Sequence, residues 1–474
     1  MSLQDIFTTG APLLEQAAIT RTVGVAAGVF APGHIGELTR IIPFKMVDEV
    51  LAETGAVQRR IRLVPARVTV YLLLAAAFFT GLGYQQVFDR LCAGLTGLAP
   101  VRPSGSALRQ ARQLLGPAPM KALFNLVSGP AATVAAAGRW RGLRVVAVDG
   151  TLLSVPDCPA NLAVFTRQRL GNGISGYPQL RLAALVDCGT RSVIGAVFGP
   201  ATTGELEYAR RLAADLRAGM LLLGDRNFAA AALLNQLAAT GADLLVRCKT
   251  NRKLPTLARC RDGSTLTRIG PLTVRVIDAE ITTRTFQGTR TSHYRLLTTL
   301  TDPATYPAGE LVRLYHERWE IETAYAELKS TILGGRVLRA RTPDGIEQEV
   351  WALLTAYQAL RTAMTDATDS VPGTDPDRAG FTTALAAARD QLLLAAGIIT
   401  APTLIWSAPS AVTSWPNSCP PGGSAPKIAS SNARSPNTTH ADPPSTEPPT
   451  KPPSTCSQAA LDTPGPALTE RRCL

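Results

Sequence analysis

Within Tyr315 to Lys329 the sequence spaces Tyr315, Arg318, Glu322 and Lys329 so that a helix would gather them on one side. At roughly 100° per residue they fall at about 0, 300, 340 and 320°, an arc of about 60°. One carboxylate is thereby set among a hydroxyl, a guanidinium and an ammonium, three groups that bind phosphate. The other acids of the segment, Glu317, Glu320 and Glu327, project at about 200, 140 and 120° and stand outside that stripe. A surface helix laced with ordinary ion pairs would scatter such residues instead.

Two upstream aspartates fall where secondary structure would place them near such a helix. Val145 to Val148 and Leu221 to Gly224 are short apolar runs that read as buried strands, ending at Asp149-Gly150-Thr151 and Asp225-Arg226-Asn227. Each aspartate is expected where a strand gives way to a turn, which in open α/β sheets is the ligand-binding edge. A single Asp there is ordinarily a turn or cap residue; the combination with Glu322 is what singles the pair out. Asp157 and Asp187 also lie near strand ends, at hairpin or loop positions that favour turn chemistry.

These segments resemble the catalytic motifs of the DDE transposases of bacterial insertion sequences, specifically the insertion element 4 family. The family signature Tyr-x2-Arg-x3-Glu-x6-Lys is matched at Tyr315, Arg318, Glu322 and Lys329. Its first Asp precedes Gly-Thr or Gly-Ser, as at Asp149, and its second precedes Arg, as at Asp225. Phe30 to Thr39 and Val101 to Arg112 resemble its amino-terminal domain, and the likeness runs over roughly residues 20 to 395. It implies an α/β fold: an RNase H-like catalytic core with an inserted β subdomain, preceded by an α-helical domain and followed here by a disordered tail.

The resemblance also implies a chemistry. Asp149, Asp225 and Glu322 would be the catalytic and metal-ligating residues, holding two Mg2+ ions that Mn2+ can replace; two such ions about 4 Å apart activate the attacking oxygen and stabilise the leaving one, and Mg2+ prefers carboxylates and water. Tyr315, Arg318 and Lys329 would contact DNA. The implied activity is binding of terminal inverted repeats, cleavage at the element ends and joining of the 3′-hydroxyls to target DNA. The partners would be double-stranded DNA and, since two ends must be held together, a second copy of the chain. Alternatives are a metal-dependent nuclease of the same superfamily without strand transfer, and an inactive DNA-binding remnant. Relatives stack a Trp of the insertion on a flipped base; here no Trp lies between Asp225 and Arg318, leaving Phe286, Tyr294 or Tyr306 for that task.

Composition agrees with an anionic partner: the net charge is +12 over 474 residues. The eight cysteines show no CxxC pair and no zinc spacing, against a structural metal or disulfide framework. No signal peptide is recognisable, and the apolar run Val68 to Leu82 falls short of the roughly 20 residues that span a bilayer, so it reads as a buried helix. No membrane association is expected, and the resemblance implies a bacterial cytoplasmic, nucleoid-associated location.

The chain divides into a helical region over 1–130, a catalytic region over 140–400 with a β insertion at about 240–305, and a tail over 408–474. Residues 409–474 hold 14 of the 35 prolines with no apolar periodicity, which predicts disorder and suggests a frameshifted end. In the first region Ser104 or Ser106 could cap a helix whose Arg109 and Arg112, three apart, face one way toward DNA or solvent. In the insertion, Arg247, Lys249, Arg252 and Lys253 form a basic patch; Arg247 and Lys249 are candidate phosphate contacts.

Overall fold

The computed structural model describes residues 35–58, 60, 62–93, 102–128, 139–170, 173–285, 288–371, 379–394 and 455–461. Helices come first: α1 (Phe44–Glu53), α2 (Ala66–Phe78), α3 (Tyr84–Cys92), α4 (Gly105–Leu115) and α5 (Ala118–Ser128). A mixed region follows, with β1 (Arg139–Trp140), β2 (Leu143–Ser154), the one-turn α6 (Pro159–Leu162), β3 (Arg167–Leu170), β4 (Gly173–Asp187), β5 (Val193–Pro200), α7 (Glu205–Leu212), β6 (Met220–Gly224), α8 (Ala231–Ala238) and β7 (Asp243–Cys248). Then come β8 (Ala258–Arg259), β9 (Thr265–Ile269), β10 (Leu272–Thr285), β11 (Gly288–Thr298), α9 (Ala308–Leu314), α10 (Trp319–Ala326), α11 (Pro343–Asp369), α12 (Phe381–Leu394) and β12 (Thr455–Leu461).

The helical region is built around α2, whose residues are buried apart from Arg67. A helix apolar on every face has to sit inside a core, and most of the Val68 to Leu82 run is therefore an interior helix, packed against α11. Among the described residues no helix is long and apolar enough to cross a membrane. Pro43 and Pro65 stand at the starts of α1 and α2, where a missing N–H is harmless. Ser104, rather than Ser106, caps α4 by accepting from Ala107 N at 3.2 Å, and Gly116 ends that helix at φ 68°.

In the sheet, β2 lies between antiparallel β4 and parallel β6; β5 flanks β4 and β7 runs parallel beside β6. Three antiparallel strands joined to a parallel pair reached through α7 and α8 make an RNase H-like core. Side-chain alternation sends Val145 and Ala147 to the face covered by α10 and α11, and Val146 and Val148 to the face covered by α7 and α8.

One expectation needs correction. β2 does not end at Asp149 but continues to Ser154, because pairing with β4 persists to Ser154↔Gln179; what ends at this point is the parallel pairing with β6, at Val148↔Gly224. The inserted β region is continuous with the core: β7 pairs with β6 on one side and with β11 on the other, so the long β10–β11 hairpin extends the core sheet. Of the tail, only the backbone of β12, paired with β10, belongs to the described residues; the remainder of 408–474 lies outside them.

Candidate active site

The parallel register fixes the two aspartates relative to each other. Val148 is opposite Gly224, so Asp149 and Asp225 are the next residues along neighbouring strands, which run roughly 4.8 Å apart. Period-two alternation turns both toward the face that Ala147 and Leu223 share, where α10 lies. Asp225 keeps an extended backbone and its carboxylate accepts from Asn227 N at 2.8 Å, while the Asp149 carboxylate accepts from Gly150 N at 2.8 Å.

The segment expected to be one helix is in fact three: a 3-10 turn at Tyr315–Arg318, then α10, then a π-helical stretch at Glu327–Ile332. The wide turn begins at Glu327, which is buried and bound by Arg361, by the Tyr357 hydroxyl at 2.9 Å and by Arg191 at 3.5 Å. Glu320 likewise pairs with Arg191. Both acids therefore belong to the packing, in keeping with their position off the stripe.

The segment still meets β2 and β6 beside the two aspartates. Tyr315 donates its hydroxyl to the Gly224 carbonyl at 3.1 Å, and Tyr325 donates to the Asp149 carbonyl at 2.7 Å. Two tyrosines of one segment thus pin the backbone at, or next to, the two aspartates. Lys329 Nζ donates to Thr151 Oγ1 at 3.2 Å, and Arg318 Nη2 to Glu322 Oε1 at 2.8 Å. Burial pushes the hydroxyls of Tyr315 and Tyr325 well above the ordinary tyrosine range, so both remain donors.

The Asp149 carboxyl is pushed up to about 7. Burial is the main cause; the charges of Glu205 and Asp225 add to it, and the Gly150 N–H and the Arg318 guanidinium oppose it. Glu322 faces Arg318, and among the described residues no group of three or more His, Cys, Asp or Glu side chains converges tightly enough to hold an ion. The structure therefore brings Asp149 and Asp225 together, while Glu322 is held by Arg318, whose charge also reaches Asp149.

The remaining candidates separate by environment. Tyr315 is buried, with its ring 6.3 Å from that of Tyr294. Arg247 lies over the Tyr294 ring, 3.8 Å from its centroid, and Lys249 is exposed just after β7. Tyr306 packs with Trp140 at 5.8 Å, and Phe286 lies outside the described residues. Arg109 is exposed on α4, but Arg112 does not share that open face: its guanidinium is stacked 3.8 Å above the Tyr84 ring, and its carbonyl accepts from Gln348 of α11. Asp187 is a buried turn residue bound by Arg144, Gly189 and Thr190.

Sequence reasoning missed Tyr325 and Glu205. Tyr325 had a signal, since it lies ten residues after Tyr315 and three after Glu322 on the same segment. Glu205 is marked in the sequence only as an acid at a helix start; its approach to β2 comes from how α7 packs on the sheet.

This geometry meets its counterpart in the comparisons with known proteins. The family described as insertion element 4 transposase N-terminal matches residues 32–125, and the family described as transposase DDE domain matches residues 140–359. The chain belongs to the insertion element 4 family of DDE transposases. It is 29% identical over 347 residues to transposase InsG for insertion sequence element IS4 of Escherichia coli strain K12, covering 71% of this chain and 78% of that one. Among solved structures, the cryo-EM structure of the piggyBac transposase synaptic complex with hairpin DNA is similar at a TM-score of 0.40 and 13% identity, over 83% of this chain and 87% of that one. That likeness is too loose to carry residue correspondences. The DDE-domain match spans β1 through most of α11 and includes Asp149, Asp225 and Glu322.

Proposed function

We propose that this transposase binds the terminal inverted repeats of its element, cleaves the phosphodiester bonds at the element ends and joins the freed 3′-hydroxyls to target DNA. The observation that carries the reading is the side-by-side placement of Asp149 and Asp225 by the parallel β2–β6 register, with the Arg318–Glu322 pair on the covering segment.

The donor set suits a hard divalent cation: it is all oxygen, and its negative charge and burial together are enough to keep Asp149 protonated up to about pH 7. Asp149 and Asp225, with Glu322, are the residues that would hold Mg2+ or Mn2+. Bound there, such ions supply charge stabilisation for the attacking and leaving oxygens. Within the chain, Tyr315 ties the end of β6, and Tyr325 the middle of β2, to the covering segment, so the carboxylates are presented on a rigid frame. Arg318 and Lys329 would take DNA phosphates flanking the scissile bond, and a phosphate engaging Arg318 would compete with its bond to Glu322. Arg109 and Lys249 extend the basic surface as exposed cations; Arg112, Arg247 and Tyr315 act there through packing as much as through DNA contact. Two copies would hold two ends in the bacterial cytoplasm.

The test uses purified protein with labelled duplex carrying the element's own end and an unlabelled target. Mg2+-dependent nicking at the end, followed by a joined product, is the expected result, and Asp149→Asn should abolish both while retaining end binding. Nicking without any joined product would favour the nuclease reading, and full activity of Asp149→Asn would refute the assignment.

A further inference from the structure

We propose that Arg191 is a positioning residue for the reaction: it pins the motif segment from behind, on both sides of Glu322, and so fixes where Glu322 and Lys329 stand. The inference rests on the reading of those two side chains as cation-holding and phosphate-binding groups. Arg191 lies in the turn between β4 and β5 at φ 54°. A residue with a Cβ seldom adopts that conformation, and glycine adopts it at lower cost. What an arginine provides there is its side chain. One guanidinium, largely buried, bonds Glu320 through Nε and reaches Glu327 Oε1 at 3.5 Å through Nη1.

Glu320 stands two residues before Glu322 and Glu327 five after it, and by helical count both project to the far side from it. A clamp across that pair resists rotation of the segment about its axis, the motion that would swing Glu322 and Lys329 away from β2 and β6. Arg361, on α11, binds Glu327; Arg191 spans the two acids. The platform that carries the clamp is itself held. Arg191 N donates to the Asp187 carbonyl at 2.9 Å, the Arg191 carbonyl lies 3.1 Å from the Tyr357 hydroxyl, and Val193 N donates to Gln358 Oε1 at 2.9 Å, so the turn is docked on α11. Beyond Glu327, Gly335 N donates to the Lys329 carbonyl at 2.8 Å, which closes the stretch bearing Lys329 at its other end.

Single-turnover cleavage of a labelled duplex carrying the element's own end, at saturating full-length protein, tests this, with the log-log salt slope of end binding and the urea midpoint measured beside it. Arg191→Gly suits the turn's backbone and removes the clamp. It should slow cleavage about tenfold or more, since small misplacements of reacting groups are costly, and lower the slope by about one, as Lys329→Ala does. Arg191→Lys, a point charge in place of the fork, should recover part of the rate. A lowered urea midpoint with the parent's cleavage rate and slope would make Arg191 a packing residue and overturn the proposal. Should Arg191→Gly not fold, Glu320→Gln decides, because it breaks one arm and leaves Glu327 bound to Arg361: cleavage slowed about threefold or more supports the clamp, and the parent's rate overturns it. Glu322→Gln and Lys329→Ala are the controls. If they lose cleavage and slope respectively while Arg191→Gly loses neither, the positioning role falls and the site stands; if they too behave as the parent, the reading of the site fails and the proposal with it.

Discussion

Asp149→Asn should stabilise the metal-free protein, and by an amount that depends on pH. The carboxyl is displaced from its ordinary 3.8 to about 7. At pH values between these, the folded protein holds a proton that the unfolded chain has released, so this group's contribution to stability falls as pH rises from about 4 through about 7 and is then level. At roughly 1.4 kcal/mol per pH unit the span corresponds to at most about 4 kcal/mol, reduced by the partial solvent access of the side chain. Asn is neutral throughout and escapes the cost. Urea unfolding of both proteins in chelator-treated buffer should give nearly equal midpoints at pH 4.5 and a midpoint for Asp149→Asn higher by a resolvable margin at pH 8. Added Mg2+ at pH 8 should raise the parent protein and narrow the gap. A gap that stays constant from pH 4.5 to 8, or a less stable Asn variant at pH 8, would refute the argument that burial and neighbouring carboxylates crowd this position.

Other outcomes follow from single contacts. Tyr325→Phe, which strips the Asp149 carbonyl of a 2.7 Å bond, should cost about 1–2 kcal/mol in urea unfolding and lower end cleavage without weakening end binding. Arg318→Ala and Lys329→Ala should each weaken DNA binding alike on unrelated end sequences and reduce the log-log salt slope by roughly one per lost phosphate contact; a loss confined to one sequence would mean base readout instead. Asp187→Ala should destabilise by about 3–5 kcal/mol, since it leaves the buried Arg144 guanidinium uncompensated, and near-parent stability would show that Arg144 finds another partner.

The motif was legible because its information is local. Asp149 and Asp225 each follow a run of buried apolar residues, and the Tyr315 to Lys329 stripe needs only helical spacing. Glu320 and Glu327 could be set aside on the same grounds, and both proved to be packing residues. What the sequence could not show was set by non-local pairing. The run of β2 past Asp149 depends on β4, whose Gln179 pairs with Ser154 across a sequence separation of 25. The widening of the motif helix from Glu327 onward coincides with the pairing of Glu327 to Arg361 and Arg191, partners distant in sequence. Arg112, three residues from Arg109 and expected to share its outlook, is turned inward by Tyr84 and α11, neither of which a helical wheel contains. Glu205 is the clearest case, since an acid at a helix start looks alike whether it faces solvent or, as here, packs against a strand at Gly150.

The continuity of the sheet through β6, β7 and β11 bears on how this enzyme can be cut down or rearranged. Excising residues 243–298 would not return a smaller finished core. It would strip β7 from one side of β6, five residues buried along their whole length, and leave an apolar edge whose unpaired amides invite another chain to add on. The strand so exposed is the one that carries Asp225 at its end. Shortening is tolerable only farther out, along the β10–β11 hairpin, where length can change without opening the margin on which the candidate site is built.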